Sequence, residues 1–381
     1  MKVLQVVPDL KSGGGEWVAV SLHRWMKTAG VDCRIVSLLG DVNESAKPRT
    51  QRANFVEGYA QSWYRLFRRC RRMKREGWQP DIIHAHMYPA QLLAAALLRR
   101  LWPNAVLSTT EHSTSNRRRS LPCGRQLDSR LFRHFYSIAC ISQATHDSLK
   151  DWLPELATRM TVIRNGVDLS PFAGTPSRTG RTPAVVISVG RLEVVKNYAT
   201  ALAAVSLMKD AAVEYWIVGD GSEASKLPVL AANLGIARQV HFLGWRDDVP
   251  DLLQQADIMF MPSLWEGFGL ALAQGMASGL PVVASDIPAS RELLGASNSG
   301  YLCAPLDTPG FADALRLLMG DCRLRLALGE EARRRATHFD FEKTANGYFH
   351  LFMNLARRST PLLRTAAPLL PTGSNSEKQV Q

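Results

Sequence analysis

What most limits the folds open to this chain is a rhythm that runs through it twice. Short β-branched runs alternate with longer helical stretches, first over residues 3–163 and again over 184–303. That alternation predicts an α/β protein of two doubly wound, Rossmann-like domains. Strands are expected at Val3–Val7, Cys33–Leu38, Asp81–Ala85, Ala105–Thr109, Ser137–Ile141 and Thr161–Ile163. In the second half they are expected at Ala184–Val189, Glu214–Val218, Val240–Leu243, Asp257–Met261, Val282–Ala284 and Gly300–Cys303. Between the halves, Pro171 to Pro183 carries three prolines and two glycines, the composition of a linker. The expected division is a first domain over 1–170, a linker over 171–183 and a second domain over 184–340. The polar stretch 359–381, with Thr372-Gly373-Ser374-Asn375-Ser376, is expected to be a disordered tail. With 381 residues, 46% of them apolar, the chain can bury two cores.

Charge is unevenly divided. Residues 1–170 hold 26 Lys+Arg against 14 Asp+Glu, whereas 171–381 hold 20 against 20, so the first half carries the whole net charge of +12. The excess concentrates in Arg65, Arg68, Arg69, Arg71, Arg72, Lys74 and Arg75, interleaved with Trp63, Leu66, Phe67 and Met73. This reads as a basic amphipathic helix, suited either to an anionic membrane surface or a phosphate-bearing acceptor, or to being a solvated face. No nucleic-acid motif accompanies it, so no nucleic-acid partner is expected. No run of about 18 apolar residues is present to span a membrane. The start, Met1 to Pro8, reads as a strand and not as a signal peptide. Six cysteines are scattered without a C-x-x-C pair, which argues against zinc and disulfides and fits a reduced cytoplasmic location, peripheral to the membrane at most.

Three glycine-bearing turns follow predicted strands. Ser12-Gly13-Gly14-Gly15-Glu16 follows the first and opens a helix; its glycines bring backbone N–H groups close to a ligand. It lacks G-x-G-x-x-G spacing, so it is not a dinucleotide fingerprint. Gly190-Arg191-Leu192-Glu193-Val194-Val195-Lys196 leaves the first strand of the second half. Its two cations can converge on one diphosphate, Arg191 as a fork and Lys196 as a point charge. Ser263-Leu264-Trp265-Glu266-Gly267-Phe268-Gly269-Leu270 joins a buried strand to a helix. Its unpaired N–H groups and the helix dipole suit a phosphate. Glu266 beside that cradle is electrostatically unwelcome unless a sugar hydroxyl or a developing positive charge needs it; the plain alternative is a helix-start carboxylate favoured by the dipole.

This last run, closing on Gln274, resembles the Glu-x7-Glu signature of the retaining, nucleotide-sugar-dependent glycosyltransferases of family four, which have the GT-B architecture of two Rossmann-like domains facing across a cleft. The resemblance implies that Glu266 contacts the donor sugar and that Gln274 stands where a glutamate binds the ribose. A Gln amide there loses the charge-assisted bond, so weaker ribose binding is expected. It also implies that Arg191 and Lys196 stabilise the leaving diphosphate, with Gly190, Gly267, Phe268, Gly269 and Leu270 around the donor and Gly14 and Gly15 facing its diphosphate. Trp245 and Arg246 are placed where the family binds the base, and Glu292 matches a helix glutamate near the cleft. His112, in Thr110-Glu111-His112-Ser113, matches a histidine near the reacting sugar; a buried structural histidine is the alternative. Asn165-Gly166-Val167-Asp168 resembles a hinge motif, and the last helix, over 341–358, is expected to return to the first domain.

His84 and His86 have the look of a metal-ligand pair. They are expected to face opposite sides of their strand, and no metal is assigned to them. The function expected is retaining transfer of a hexosyl or N-acetylhexosaminyl group from a UDP- or GDP-sugar to a saccharide or lipid-linked acceptor, without cofactor or divalent metal. The resemblance implies front-face attack assisted by a leaving-group oxygen, and a role in bacterial surface polysaccharide or lipopolysaccharide synthesis. Two alternatives stay open: a nucleotide-sugar epimerase, whose acid and base carboxylates the sequence does not place, and a catalytically impaired partner subunit.

Overall fold

The computed structural model describes residues 1–10, 13–39, 57–174 and 183–359. The expected tail beyond Ser359, most of the expected linker (175–182) and Ser12 lie outside the described residues. Two six-stranded parallel sheets form. The first runs β2-β1-β3-β4-β5-β6, from β1 (Lys2–Asp9), β2 (Asp32–Leu39), β3 (Ile82–His86), β4 (Val106–Glu111), β5 (Ser137–Cys140) and β6 (Met160–Val162). The second runs β12-β11-β10-β7-β8-β9, from β7 (Ala184–Val189), β8 (Val213–Val218), β9 (Val240–Gly244), β10 (Ile258–Met261), β11 (Val282–Ser285) and β12 (Gly300–Cys303). Each expected strand is present, with its ends within two residues of those expected.

Parallel strands covered by helices on both faces read as unbroken apolar runs. In β10, Ile258, Met259, Phe260 and Met261 are all buried. The polar residue before it is used: the Asp257 carboxylate accepts from the Val185 N–H at 2.8 Å, tying β10 to β7. Chain order reverses between β1 and β3 in one sheet and between β7 and β10 in the other. Such switch points open crevices at the carboxyl ends of the strands, where ligands of this architecture bind.

The chain passes between the domains twice, and the passages lie side by side. The Val167 N–H donates to the Phe339 carbonyl at 2.8 Å, and the Phe341 N–H donates to the Val167 carbonyl at 3.0 Å. From there the last helix, Phe341–Ser359, lies on the first domain. Its Ala345, Tyr348, Phe352 and Leu355 recur at helical spacing and are buried with Val3, Leu22, Met26 and Ile82. The Tyr348 hydroxyl lies 2.9 Å from Thr110 Oγ1. Removing the ring in Phe352→Ala would cost about 3–5 kcal/mol.

The arginine-rich helix, Glu57–Arg75, turns its apolar stripe inward. Leu66, Cys70 and Met73 are buried in the first domain's core, with Trp63 and Phe67 packed against it. That stripe is therefore not free to enter a lipid surface. Arg65, Arg68, Arg71 and Arg72 remain exposed, and Arg72 pairs with Glu76 at 2.8 Å. No helix of the described residues is long and apolar enough to cross a membrane. All six cysteines are free, and Cys33, Cys70 and Cys140 are buried.

Candidate active site

The loop after β10 and the loop after β7 are built as one unit. The Leu264 N–H donates to the Val195 carbonyl at 2.8 Å. Asn197, in the left-handed region at φ 54°, donates through Nδ2 to the carbonyls of Pro262 (3.1 Å) and Pro305 (2.7 Å). Asparagine tolerates that backbone better than most residues. This frame carries Lys196 onto Glu266: Nζ donates to Oε1 at 2.5 Å, and Ser263 Oγ donates to the same oxygen at 2.8 Å. Among the described residues both bonds fall on Oε1. Gly269 then turns the chain at φ 96° into the helix Leu270–Ala277, a conformation that favours glycine. The first N–H groups of that helix have no intrahelical acceptor.

The opposite wall comes from the first domain. A methyl group built on Gly267 would stand 2.2 Å from the His112 carbonyl oxygen, so only glycine admits this approach. Thr145 Oγ1 donates to the Gly267 carbonyl at 3.0 Å, and Thr114 Oγ1 to the Glu266 carbonyl at 3.3 Å. The glycine loop after β1 sits over the same place. A methyl on Gly14 would meet Leu270 at 2.8 Å, and one on Gly15 would meet Met87 at 2.8 Å and His112 Nδ1 at 3.3 Å. Glu16, just behind, is half-buried; burial pushes its carboxyl above the usual range, and its backbone N–H and the Arg191 charge pull the other way. Gly14, Gly15, His112, Lys196, Glu266, Gly267, Leu270 and, electrostatically, Arg191 thus converge on one crevice.

The histidines correct a sequence expectation. Residues two apart on a strand share a face, so His84 and His86 lie together, ring centroids 4.6 Å apart. His112 joins them, its Nε2 3.1 Å from His86 Nδ1. Burial holds His84 down to about 3, with help from the His112 charge, holds His112 down to about 4, and keeps His86 well below the ordinary range. The described residues contain no cluster of three or more His, Cys, Asp or Glu able to hold a metal.

Other expected residues have different surroundings. Trp245 is exposed at the end of the edge strand β9, and Arg246 is held by Asp248 at 2.7 Å. Gln274 lies half-buried along the helix from Leu270. The arginines of Glu57–Arg75 flank β2, at the far edge of the first sheet from this crevice's β4 and β5 wall. Glu292 spans the domains: it accepts from the Gln143 N–H at 2.8 Å and from Arg164 Nε at 2.8 Å, capping the helix Gln143–Trp152. Sequence reading assigns no role to Asn197 or Ser263, although the one stands beside Lys196 and the other opens the Glu266 run. Gln5, buried inside β1, gave no signal.

Comparison with known proteins agrees with this geometry. Residues 12–171 match the family model "Glycosyltransferase Family 4", and residues 176–335 match "Glycosyl transferases group 1". The chain is 30% identical over 317 residues to a glycogen synthase of Mycobacterium tuberculosis, covering 79% of this chain and 75% of that one. It is 29% identical over 226 residues to the lipopolysaccharide core biosynthesis glycosyltransferase LpsE of Rhizobium meliloti, covering 58% and 65%. The crystal structure of Anabaena HepE in complex with UDP-glucose superposes with a TM-score of 0.74 at 19% identity, over 93% of this chain and all of that one. With its paired sheets, its loops at the facing switch points and these likenesses, the chain belongs to the GT-B glycosyltransferases.

Proposed function

We propose that this glycosyltransferase moves a sugar, with retention of configuration, from a UDP- or GDP-sugar to a saccharide or lipid-linked acceptor. The observation that carries this reading is the Lys196–Glu266 pair at the mouth of a glycine-opened helix, directly across from His112. Lys196 and Arg191 neutralise the leaving diphosphate together with the N–H groups at the helix start. Glu266, steadied through Oε1, offers Oε2 to a hydroxyl of the donor sugar. Protein cations do the work that a divalent metal does elsewhere, so no metal is needed. HepE, of the same fold, binds UDP-glucose, and LpsE acts in lipopolysaccharide core biosynthesis; both are consistent with a nucleotide-sugar donor and a surface-glycan acceptor.

The test is transfer by purified protein from UDP- and GDP-sugars to saccharide and lipid-linked acceptors, with EDTA present, reading the anomeric configuration of the product by NMR. Retention with most activity left after chelation supports the reading. Inversion, or a strict need for manganese or magnesium, overturns it. Sugar conversion without acceptor would point to an epimerase instead, and donor binding without any turnover to an impaired partner subunit.

A further inference from the structure

A row of buried hydrogen bonds runs from the first strand to the cleft. Gln5, in β1, is fully buried. Its side-chain amide lies 3.0 Å from His86 Nε2, and His86 Nδ1 lies 3.1 Å from His112 Nε2. A neutral imidazole has one donor nitrogen and one acceptor nitrogen, so each bond in such a row dictates the next. Burial keeps His86 and His112 neutral near pH 7.

The direction of the row is set at Gln5. The end of its amide nearest His86 also lies 3.3 Å from the Ala19 carbonyl, which can only accept. The other end lies 3.3 Å from the His23 backbone N–H, which can only donate. The amide nitrogen therefore faces His86, and the amide oxygen faces His23 and the Cys33 thiol at 3.4 Å. With Gln5 donating, His86 Nε2 accepts and His86 Nδ1–H donates. His112 Nε2 then accepts, which leaves the His112 proton on Nδ1. That nitrogen is shielded from solvent and meets no partner. It faces the glycine loop, 3.3 Å from where a Cβ on Gly15 would stand, and the His112 carbonyl abuts Gly267 beside Glu266.

We propose that Gln5 and His86 are positioning residues that fix His112 as an Nδ1–H donor to an oxygen of the donor sugar. The ligand named here rests on the transferase reading above; the proton arrangement does not. A sugar hydroxyl has the lone pairs such a donor needs. A neutral ring supplies the bond without placing a positive charge beside a sugar carbon that gains positive charge as the leaving group departs.

The experiment is long-range proton–nitrogen NMR of the full chain carrying nitrogen-15 histidine near pH 7, with the His112 signals identified by their loss in His112→Asn. The expected spectrum shows protonated Nδ1 and bare Nε2 at His112. A predominantly Nε2-protonated ring, or an even mixture, overturns the proposal without any variant having to fold. Gln5→Leu removes the element that sets direction: His112 should become a mixture of both tautomers, and kcat/KM for transfer should fall about tenfold. Unchanged tautomer and kcat/KM in a folded Gln5→Leu would remove Gln5 from the row. UDP-glucose, or whichever nucleotide sugar is turned over, should shift the His112 Nδ1 signal. Transfer without such a shift refutes the contact with the sugar. Nδ1 protonation in a protein that neither binds nor turns over any nucleotide sugar refutes the transferase reading instead, and the named ligand with it.

Discussion

The Lys196–Glu266 pair gives the sharpest quantitative test. At 2.5 Å, an effective dielectric near 20 gives a gross attraction of roughly 7 kcal/mol. Desolvation of both ions takes back most of that. The side chains keep 20% and 12% of their surface exposed, so some hydration persists and the cost is less than for a fully buried pair. The balance should be a coupling of about 1–3 kcal/mol. Lys196→Met and Glu266→Gln, alone and together, form the cycle. Either single change leaves a partly buried group without its partner and should destabilise; the double variant should lose less than the two singles combined. For a domain of this size each kcal/mol moves Tm by about 2–4 °C, so the shortfall is measurable by scanning calorimetry. High salt should leave it largely intact, because the pair is shielded. Additive losses within about 0.5 kcal/mol would refute the argument. The two loops would then be joined by the Leu264–Val195 and Asn197 bonds alone.

Four further outcomes are expected. Arg191→Ala should leave the fold intact, since the side chain is exposed, yet cut kcat by the equivalent of about 2–4 kcal/mol; wild-type turnover would remove Arg191 from the leaving-group site. Gln274→Glu should lower the donor KM by about 1 kcal/mol through a charge-assisted ribose bond; loss of activity would mean that Gln274 has another role. Reversing Arg68, Arg69, Arg71 and Arg72 to Glu should make binding to anionic vesicles fall steeply while transfer to a soluble acceptor continues; intact vesicle binding would reduce these arginines to a solvated face. Burial, with help from the His112 charge, holds His84 down to about 3, so the unfolded chain takes up that proton first as pH falls. The ring's contribution is complete above about pH 6.5 and is lost progressively as pH falls to about 3; Glu111, whose carboxyl burial raises, works the other way. His84→Gln should therefore flatten the acid-side dependence of Tm on pH, and equal slopes in both proteins would contradict this.

Much of the architecture was legible because parallel strands announce themselves as apolar runs, as Ile258 to Met261 do, and because glycine turns punctuate them. That Lys196 and Glu266 lie at strand ends was legible for a related reason: both stand just past strands, where the switch points gather them. What escaped was set by contacts between distant parts of the chain. The resemblance put Glu292 near the cleft, but its ties to Gln143 and Arg164, 149 and 128 residues away, were not legible. Gln5 is an ordinary strand residue until β3 is laid beside β1. The misreading of His84 and His86 was of another kind, because the period of two already puts them on one face. The arginine helix shows the converse. Its amphipathic pattern was real, but the pattern alone does not say whether protein or lipid covers the apolar side.

The seating of the last helix sets an order of events during synthesis. Tyr348, Phe352 and Leu355 complete the apolar layer over Val3, Leu22, Met26 and Ile82, so the strands of the first domain wait for a helix made after the whole of the second. At about 5–20 residues per second, translation from residue 170 to residue 355 takes roughly 10–40 s. Throughout that interval the first domain has its sheet but not its cover, while the second domain is still being made. Birth order and completion order are thus inverted. A ribosome that stalls before Phe341 would release a chain whose open face invites association with any other apolar surface.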